Sequence, residues 1–251
     1  MRAVIVGYGS MGREVERALA ERGHSVAARV DAGAGRGDAT TLTREIAAKA
    51  DVAIEFSTAD AVASNARLYA DFGLSAGIGT TGWQARLDEV ARLVAGSAVG
   101  YLHGSNFSIG AHLFFDLVGR AAGLIEALPE YDILSWEVHH RRKKDSPSGT
   151  ALSMAKVITA NSSRKKRIVT ERLDRPIAAD ELHVASVRGG EVPGIHTVLL
   201  DSLFDTVEIT HSARSRGGFA LGAVRAAEWL SGRKGMFTVE DFIGDLLGRK
   251  A

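Results

Sequence analysis

The stretch AVIVGYGSMGREVERALAERG, residues 3–23, decides how the rest of the chain is read. Its first five residues are apolar or glycine, the composition of a strand buried on both faces. An amphipathic helix follows from Ser10 and is stopped by Gly23. Between strand and helix lies GYGSMG (7–12), a G-x-G-x-x-G in the context that gives the pattern meaning. Gly7 permits the tight turn, Gly9 lets a pyrophosphate approach the backbone, and Gly12 allows close helix–strand packing. The helix start adds unpaired N–H groups and partial positive charge. Asp31 closes the next strand 22 residues after Gly9, where an acid binds ribose hydroxyls. Gly7, Tyr8, Gly9, Ser10, Met11, Gly12 and Asp31 are therefore candidate dinucleotide-binding residues.

Outward from this turn, strands and helices alternate. SVAARVD (25–31), DVAIEFS (51–57), LSAGIGTTG (74–82) and AVGYLHGSNFS (98–108) read as strands, with helical patterns at 58–72 and 83–96. Strands separated by helices pair in parallel, so the first fold class is α/β, a Rossmann-type doubly wound sheet. Small loops at its carboxyl edge, carrying Phe56, Gly79, Thr80, Thr81, Ser105, Asn106 and Phe107, are expected to line the nicotinamide half of a cofactor. Past Ser108 the rhythm changes. A long helix (109–128), a strand (133–140) and a helix (149–161) precede RIVTERL, ELHVASVRGG, GIHTVLL and DTVEITHSA, strands with little helix between them. This run predicts an α+β unit with a mixed or antiparallel sheet. GGFALGAVRAAEWLSG (217–232) returns to helix. The expected domains are 1–107 with 217–251 for the dinucleotide, and 108–216 for substrate and oligomerisation.

EVHHRRKKDSPSGTA (137–151) concentrates charge in a chain whose formal net charge is only +1. On a strand at 133–140, His139 shares a face with Ser135 and Glu137, and His140 takes the other. Ser148 is placed to cap the next helix, leaving the N–H groups of Gly149, Thr150 and Ala151 for an anion. The combination suits a small acidic substrate gripped by helix amides while an imidazole or ammonium handles a proton. A second basic run, SSRKKR (162–167), lacks histidine and a helix start and reads as a solvated loop.

The balance of 31 Lys+Arg against 30 Asp+Glu argues against nucleic acid or membrane surfaces as partners. Zero cysteines exclude disulfides and thiolate metal sites, and no H-E-x-x-H pairing suggests another metal. No apolar run reaches the ~18–20 residues of a membrane span, and no secretory signal opens the chain, so a cytoplasmic location is expected.

With these residues in view, the chain resembles the dihydrodipicolinate reductase family over nearly its whole length. The most specific part is EVHHRRKKDSPSGTA, similar to the family's E-x-H-H-x-x-K-x-D-A-P-S-G-T-A. GTTG (79–82), SNFS (105–108), SVRGGEVPGIHTV (186–198) and ITHSARSRGGFALGAVRAAEWL (209–230) follow in the family's order. The resemblance implies NADH- or NADPH-dependent reduction of 4-hydroxy-tetrahydrodipicolinate in lysine and diaminopimelate biosynthesis. It implies that His139 is the proton donor or its relay, that Lys143 binds and activates the substrate, and that Gly104 joins Gly79 to Thr81 and Ser105 to Phe107 as a cofactor contact. His140, Gly149 and Thr150 would bind the substrate's carboxylates, and a homotetramer is expected. The glycine turn is one residue shorter than the family's G-A-x-G-R-M-G, and Ser146 replaces an alanine. Two other classes fit the same plan: an aspartate or diaminopimelate dehydrogenase, and a dinucleotide-binding regulator without turnover. Asp31 favours NADH, while Arg29, Arg36 and Arg44 lie near enough in sequence to accommodate the phosphate of NADPH.

Overall fold

The protein is described from a computed structural model covering residues 1–33 and 35–248; Ala34 and 249–251, parts of the expected first domain, lie outside the described residues. In chain order the elements are β1 Arg2–Val6, α1 Ser10–Glu21, β2 Ser25–Val30, α2 Arg44–Ala47, β3 Val52–Glu55, α3 Val62–Phe72, β4 Ala76–Ile78, α4 Leu87–Ala95 and β5 Gly100–His103. There follow α5 Ile109–Leu124, β6 Asp132–His139, α6 Gly149–Asn161, β7 Arg167–Val169, β8 Glu181–Arg188, β9 Ile195–Asp201 and β10 Thr206–Ser212. The chain ends with α7 Gly217–Trp229, β11 Gly235–Thr238 and α8 Val239–Leu246. Two compact units result, Met1–Ile109 with Arg216–Ala251, and Gly110–Ser215. Among the described residues, no helix is long and apolar enough to cross a membrane.

The first unit is a six-stranded sheet in the order β11-β5-β4-β3-β1-β2, parallel at every pairing. Alternation along β1 explains its two-sided burial. Ala3 and Ile5 pack with Val15 and Leu19 of α1, Val224 of α7 and Phe242 of α8. Val4 and Val6 pack on the other face with Tyr69 of α3 and Val90 and Val94 of α4. Helices on both faces leave the carboxyl strand ends and their loops as the open edge. The strand expected at 74–82 is confined to Ala76–Ile78, because GTTG serves as loop rather than ladder. β11 and α8 were not anticipated. Four residues are too few for a periodicity signal, and β11 is placed by parallel pairing with β5.

In the second unit the sheet runs β10-β9-β6-β8-β7 and is mixed: β10–β9 and β9–β6 are antiparallel, β6–β8 and β8–β7 parallel. Ile133, Val184, Val198 and Leu200 face Phe114 and Val118 of α5 and Met154 and Ile158 of α6. On β6 the opposite side carries Leu134, 39% exposed. The last four residues of RIVTERL fall outside β7. The run 162–167 is not the solvated loop expected. Lys165 is only 3% exposed; its Nζ donates to the carbonyls of Ala179 and Glu181 and sits 2.8 Å from Asp132 Oδ1. Arg164 donates to the Tyr131 and Ile125 carbonyls. These cations satisfy backbone oxygens at connection ends, which would otherwise be costly to bury.

Candidate active site

The glycine turn of the first unit follows the division of labour expected from its spacing. Gly7 has φ +89°, and a Cβ there would lie 2.2 Å from the Phe56 carbonyl oxygen. At Gly12 a Cβ would stand 2.3 Å from the Gly7 carbonyl oxygen, so α1 could not approach β1 as it does. Gly9 differs: among the described residues no atom beyond its chain neighbours lies within 4 Å of its Cβ position, and no side chain caps α1. Bare amides beside open space are the arrangement that a bound pyrophosphate would require. Ser10 is exposed and Met11 half-buried beside it. The Arg13 and Arg29 guanidinium carbons lie 5.9 and 5.6 Å from the Tyr8 ring centroid, and the Tyr8 hydroxyl donates to Glu16.

Asp31 reaches this turn directly. Its Oδ2 accepts from the Tyr8 N–H and Oδ1 from the Gly33 N–H, both at 2.8 Å, with Arg36 Nε 3.6 Å away. Burial opposes the charged form, yet the two N–H groups and Arg36 hold the carboxyl below its usual range. Each oxygen keeps a second acceptor lone pair for a ribose hydroxyl.

The remaining loops meet at the same edge. A Cβ on Gly79 would strike the Phe56 ring at 2.1 Å, and that ring meets Phe107 edge-on at 6.3 Å. Thr80 Oγ1 accepts from the Ser57 N–H at 2.8 Å, and Thr81 is exposed. Gly104 packs against Val239, the first residue of α8, so the unanticipated C-terminal elements back this loop. Ser105 is exposed, and Asn106 Oδ1 accepts from the Ser108 N–H at 2.8 Å. Sequence reading overlooked Glu55, fully buried at the end of β3, whose carboxylate accepts from Ser57, Asn65 Nδ2 (2.9 Å) and Tyr69 (2.7 Å). Burial pushes its pKa up. The signal was a lone acid closing an apolar strand.

In the second unit, β6 presents Ser135, Glu137 and His139 to one buried face, as its alternation predicts. His139 Nδ1 pairs with Glu137 Oε2. Glu137 Oε1 accepts from Arg188 Nη2 at 2.6 Å and from the Ser148 N–H at 3.2 Å. Ser148 caps α6 as expected, and in doing so its Oγ takes the Ala151 N–H. Ala151 therefore leaves the expected set of free amides, because the cap itself uses it. Gly149 and Thr150 remain at the helix start. Lys143 Nζ lies 2.8 Å from Asp145 Oδ1, and Gly149 N–H also supports that carboxylate, holding it below its ordinary range behind Lys143. Ammonium and helix amide thus already grip one carboxylate, the chemistry a carboxylate substrate needs. His140 follows the strand, its N–H bonded to the Val192 carbonyl at 2.8 Å.

Two further residues complete the cluster. Arg188 bridges Glu137 and the Asp145 carbonyl. His196, cross-strand partner of Glu137, sets its ring 5.1 Å from His139 and its Nε2 3.2 Å from Ser148 Oγ. Burial lowers the pKa of His139 below its ordinary value and that of His196 to about 4. Glu137, His139 and His196 also have the mutual spacing of a metal site. Glu137 Oε1 is held by Arg188 and the Ser148 N–H, His196 Nε2 lies on Ser148 Oγ, and Lys143 adds a second cation beside them. Two fixed cations beside these three residues oppose a further cation by charge repulsion.

The family model described as dihydrodipicolinate reductase, N-terminus, matches residues 1–107, and that of the C-terminus matches 110–243. A 4-hydroxy-tetrahydrodipicolinate reductase of Christiangramia forsetii is 35% identical over 246 residues, 98% of this chain and 99% of its own. The dipicolinate-bound dihydrodipicolinate reductase from Paenisporosarcina sp. TG-14 has a TM-score of 0.77 at 23% identity, covering 97% of this chain and 99% of that one. An engineered D-amino acid dehydrogenase bound to NADP+ shares the fold at a TM-score of 0.53 and 17% identity, covering 100% and 99% of the two chains.

Proposed function

The chain belongs to the dihydrodipicolinate reductase family, and on that premise we propose that it reduces 4-hydroxy-tetrahydrodipicolinate to tetrahydrodipicolinate with a nicotinamide dinucleotide. The observation that carries this reading is the assembly of His139, Lys143 and the α6 start around Glu137 and Arg188. Gly7 to Gly12 and the start of α1 would hold the pyrophosphate, Asp31 the ribose, and Phe56, Gly79 to Thr81 and Gly104 to Phe107 the nicotinamide half. When bound, the reduced nicotinamide supplies two electrons as hydride. Overall, substrate, NAD(P)H and one proton give product, NAD(P)+ and water.

Loss of the substrate's hydroxyl and a ring proton as water gives the conjugated ring, and its reduction by hydride leaves an enamine-type electron pair that takes up one proton. His139 delivers it from Nε2, since Nδ1 faces Glu137. Lys143, Gly149, Thr150 and His140 hold the two carboxylates, and the Lys143 ammonium stabilises charge that develops as the ring is reduced. NADH oxidation, with substrate generated from pyruvate and aspartate semialdehyde by the preceding synthase, tests the reading. Absence of turnover with either cofactor would remove it.

NADH is the preferred cofactor and NADPH is tolerated. Arg29 is tied to Glu16 and Asp38, and Arg44 lies over the Phe72 ring. Arg36, beside Asp31 and largely exposed, is the arginine placed to turn toward a 2′-phosphate. KM values for the two cofactors check this order. A homotetramer built on the second unit's sheet is supported by Leu134 and Val187, 39% and 52% exposed. Sedimentation equilibrium reads the state.

A further inference from the structure

We propose that Glu137 is a positioning residue of this reaction: one oxygen orients the His139 imidazole, the other holds the start of α6, and a single buried carboxylate thereby registers the proton donor against the carboxylate-binding helix end. The inference rests on the reading above.

The geometry leaves Glu137 little freedom. Residues two apart on a strand share a face, which brings Glu137 and His139 together, 0% and 6% exposed. A buried carboxylate needs a counterion, and Arg188 supplies it through Nη2 at 2.6 Å. The same Nη2 donates to the Asp145 carbonyl, also at 2.6 Å, anchoring the segment that carries Lys143. Ser148 N–H at 3.2 Å brings the α6 cap to the same carboxylate. Proton donor, ammonium-bearing loop and helix start are therefore all tied to one side chain.

A carboxylate at Nδ1 keeps the neutral ring's proton there, so Nε2 is the nitrogen that gives up and regains a proton. Gly194 fits this assignment. A Cβ on it would come within 2.9 Å of His139 Nε2, so glycine keeps that nitrogen uncovered. The charged and titratable groups facing the ring are Glu137 on its own strand, Arg188 from β8, His196 from β9 and Lys143 from the following loop. His211 on β10 lies one step further, 6.2 Å from His196. Burial disfavours the imidazolium, Glu137 offsets this, and Lys143 and Arg188 act with burial.

Glu137→Gln in the full chain is the test. It keeps the shape and removes the charge. Turnover should fall about 10²-fold or more, the scale of a lost acid–base partner, with KM for NADH within twofold. The alkaline limb of the kcat profile, where the protonated donor is lost, should move to lower pH, because the imidazolium has lost its nearby anion. An unmoved limb, or wild-type turnover, would overturn the proposal. Should the variant fold poorly, nitrogen-15 NMR of wild-type His139 decides. A neutral ring protonated at Nδ1 supports the pairing, and one protonated at Nε2 overturns it. That measurement needs no substrate, so an enzyme inactive on 4-hydroxy-tetrahydrodipicolinate would sink the functional reading while leaving the Glu137–His139 pairing testable.

Discussion

Gly9→Ala separates a glycine kept for a ligand from one kept for the fold. Gly9 has φ −84° and ψ −151°, an extended conformation open to alanine, and among the described residues nothing beyond its chain neighbours lies within 4 Å of the added methyl. Stability should hold or rise by about 0.4–1 kcal/mol, the usual gain from reducing unfolded-state freedom. A phosphate oxygen hydrogen-bonded to the helix amides sits ~2.9 Å from nitrogen, whereas a carbon contact prefers ~3.5 Å or more. The methyl therefore pushes the phosphate back by roughly half an ångström and breaks one charge-assisted hydrogen bond, worth ~1.5–3 kcal/mol. The Kd for NADH should rise roughly 10- to 150-fold. Gly12→Ala is the contrasting case. Its Cβ would meet the Gly7 carbonyl oxygen at 2.3 Å, so it should cost about 1–3 kcal/mol of fold stability as well. Fluorescence titration with NADH and thermal unfolding read the two effects apart. A stable Gly9→Ala protein that binds NADH within twofold of wild type would refute the phosphate cradle.

His139→Ala and Lys143→Ala should each lower kcat by roughly 10²-fold or more while NADH still binds. Near-wild-type turnover in stopped assays of either variant would remove its role. Lys165→Met should destabilise the chain by ~2–4 kcal/mol in urea unfolding, since the Ala179 and Glu181 carbonyls lose their donor and Asp132 its counterion. A change below ~0.5 kcal/mol, typical of surface substitutions, would restore the solvated-loop reading. His196, with its folded pKa at about 4 against the 6.5 of an unburied ring, stays neutral in the fold while an unfolded chain would already bind a proton. The stability this provides is complete above pH 6.5 and lost as pH falls toward 4, amounting to about 3 kcal/mol. His196→Gln should flatten that part of the stability–pH curve. An equally steep acid loss in the variant would show that another group drives it.

What could be read from residue order was whatever depends on near neighbours in the chain. The demands on Gly7 and Gly12 arise within one turn, so G-x-G-x-x-G displays them. Likewise the period of two puts His139 on the Glu137 face before any coordinates are known. By contrast, Arg188 meets Glu137 across 51 residues, and His196 meets Ser148 across 48. No local spacing encodes either contact. Lys165 shows the same limit from the other side. In sequence it is one cation in a basic run; in the fold the carbonyls of Ala179 and Glu181 turn it into an internal strut. The second unit's site runs across the sheet rather than along the chain: Ser186 of β8, Glu137 of β6, His196 of β9 and His211 of β10 stand in register. Strand pairing thus decides which groups face His139. A one-residue slip of β9 would remove His196 from that row while leaving every motif in the sequence intact.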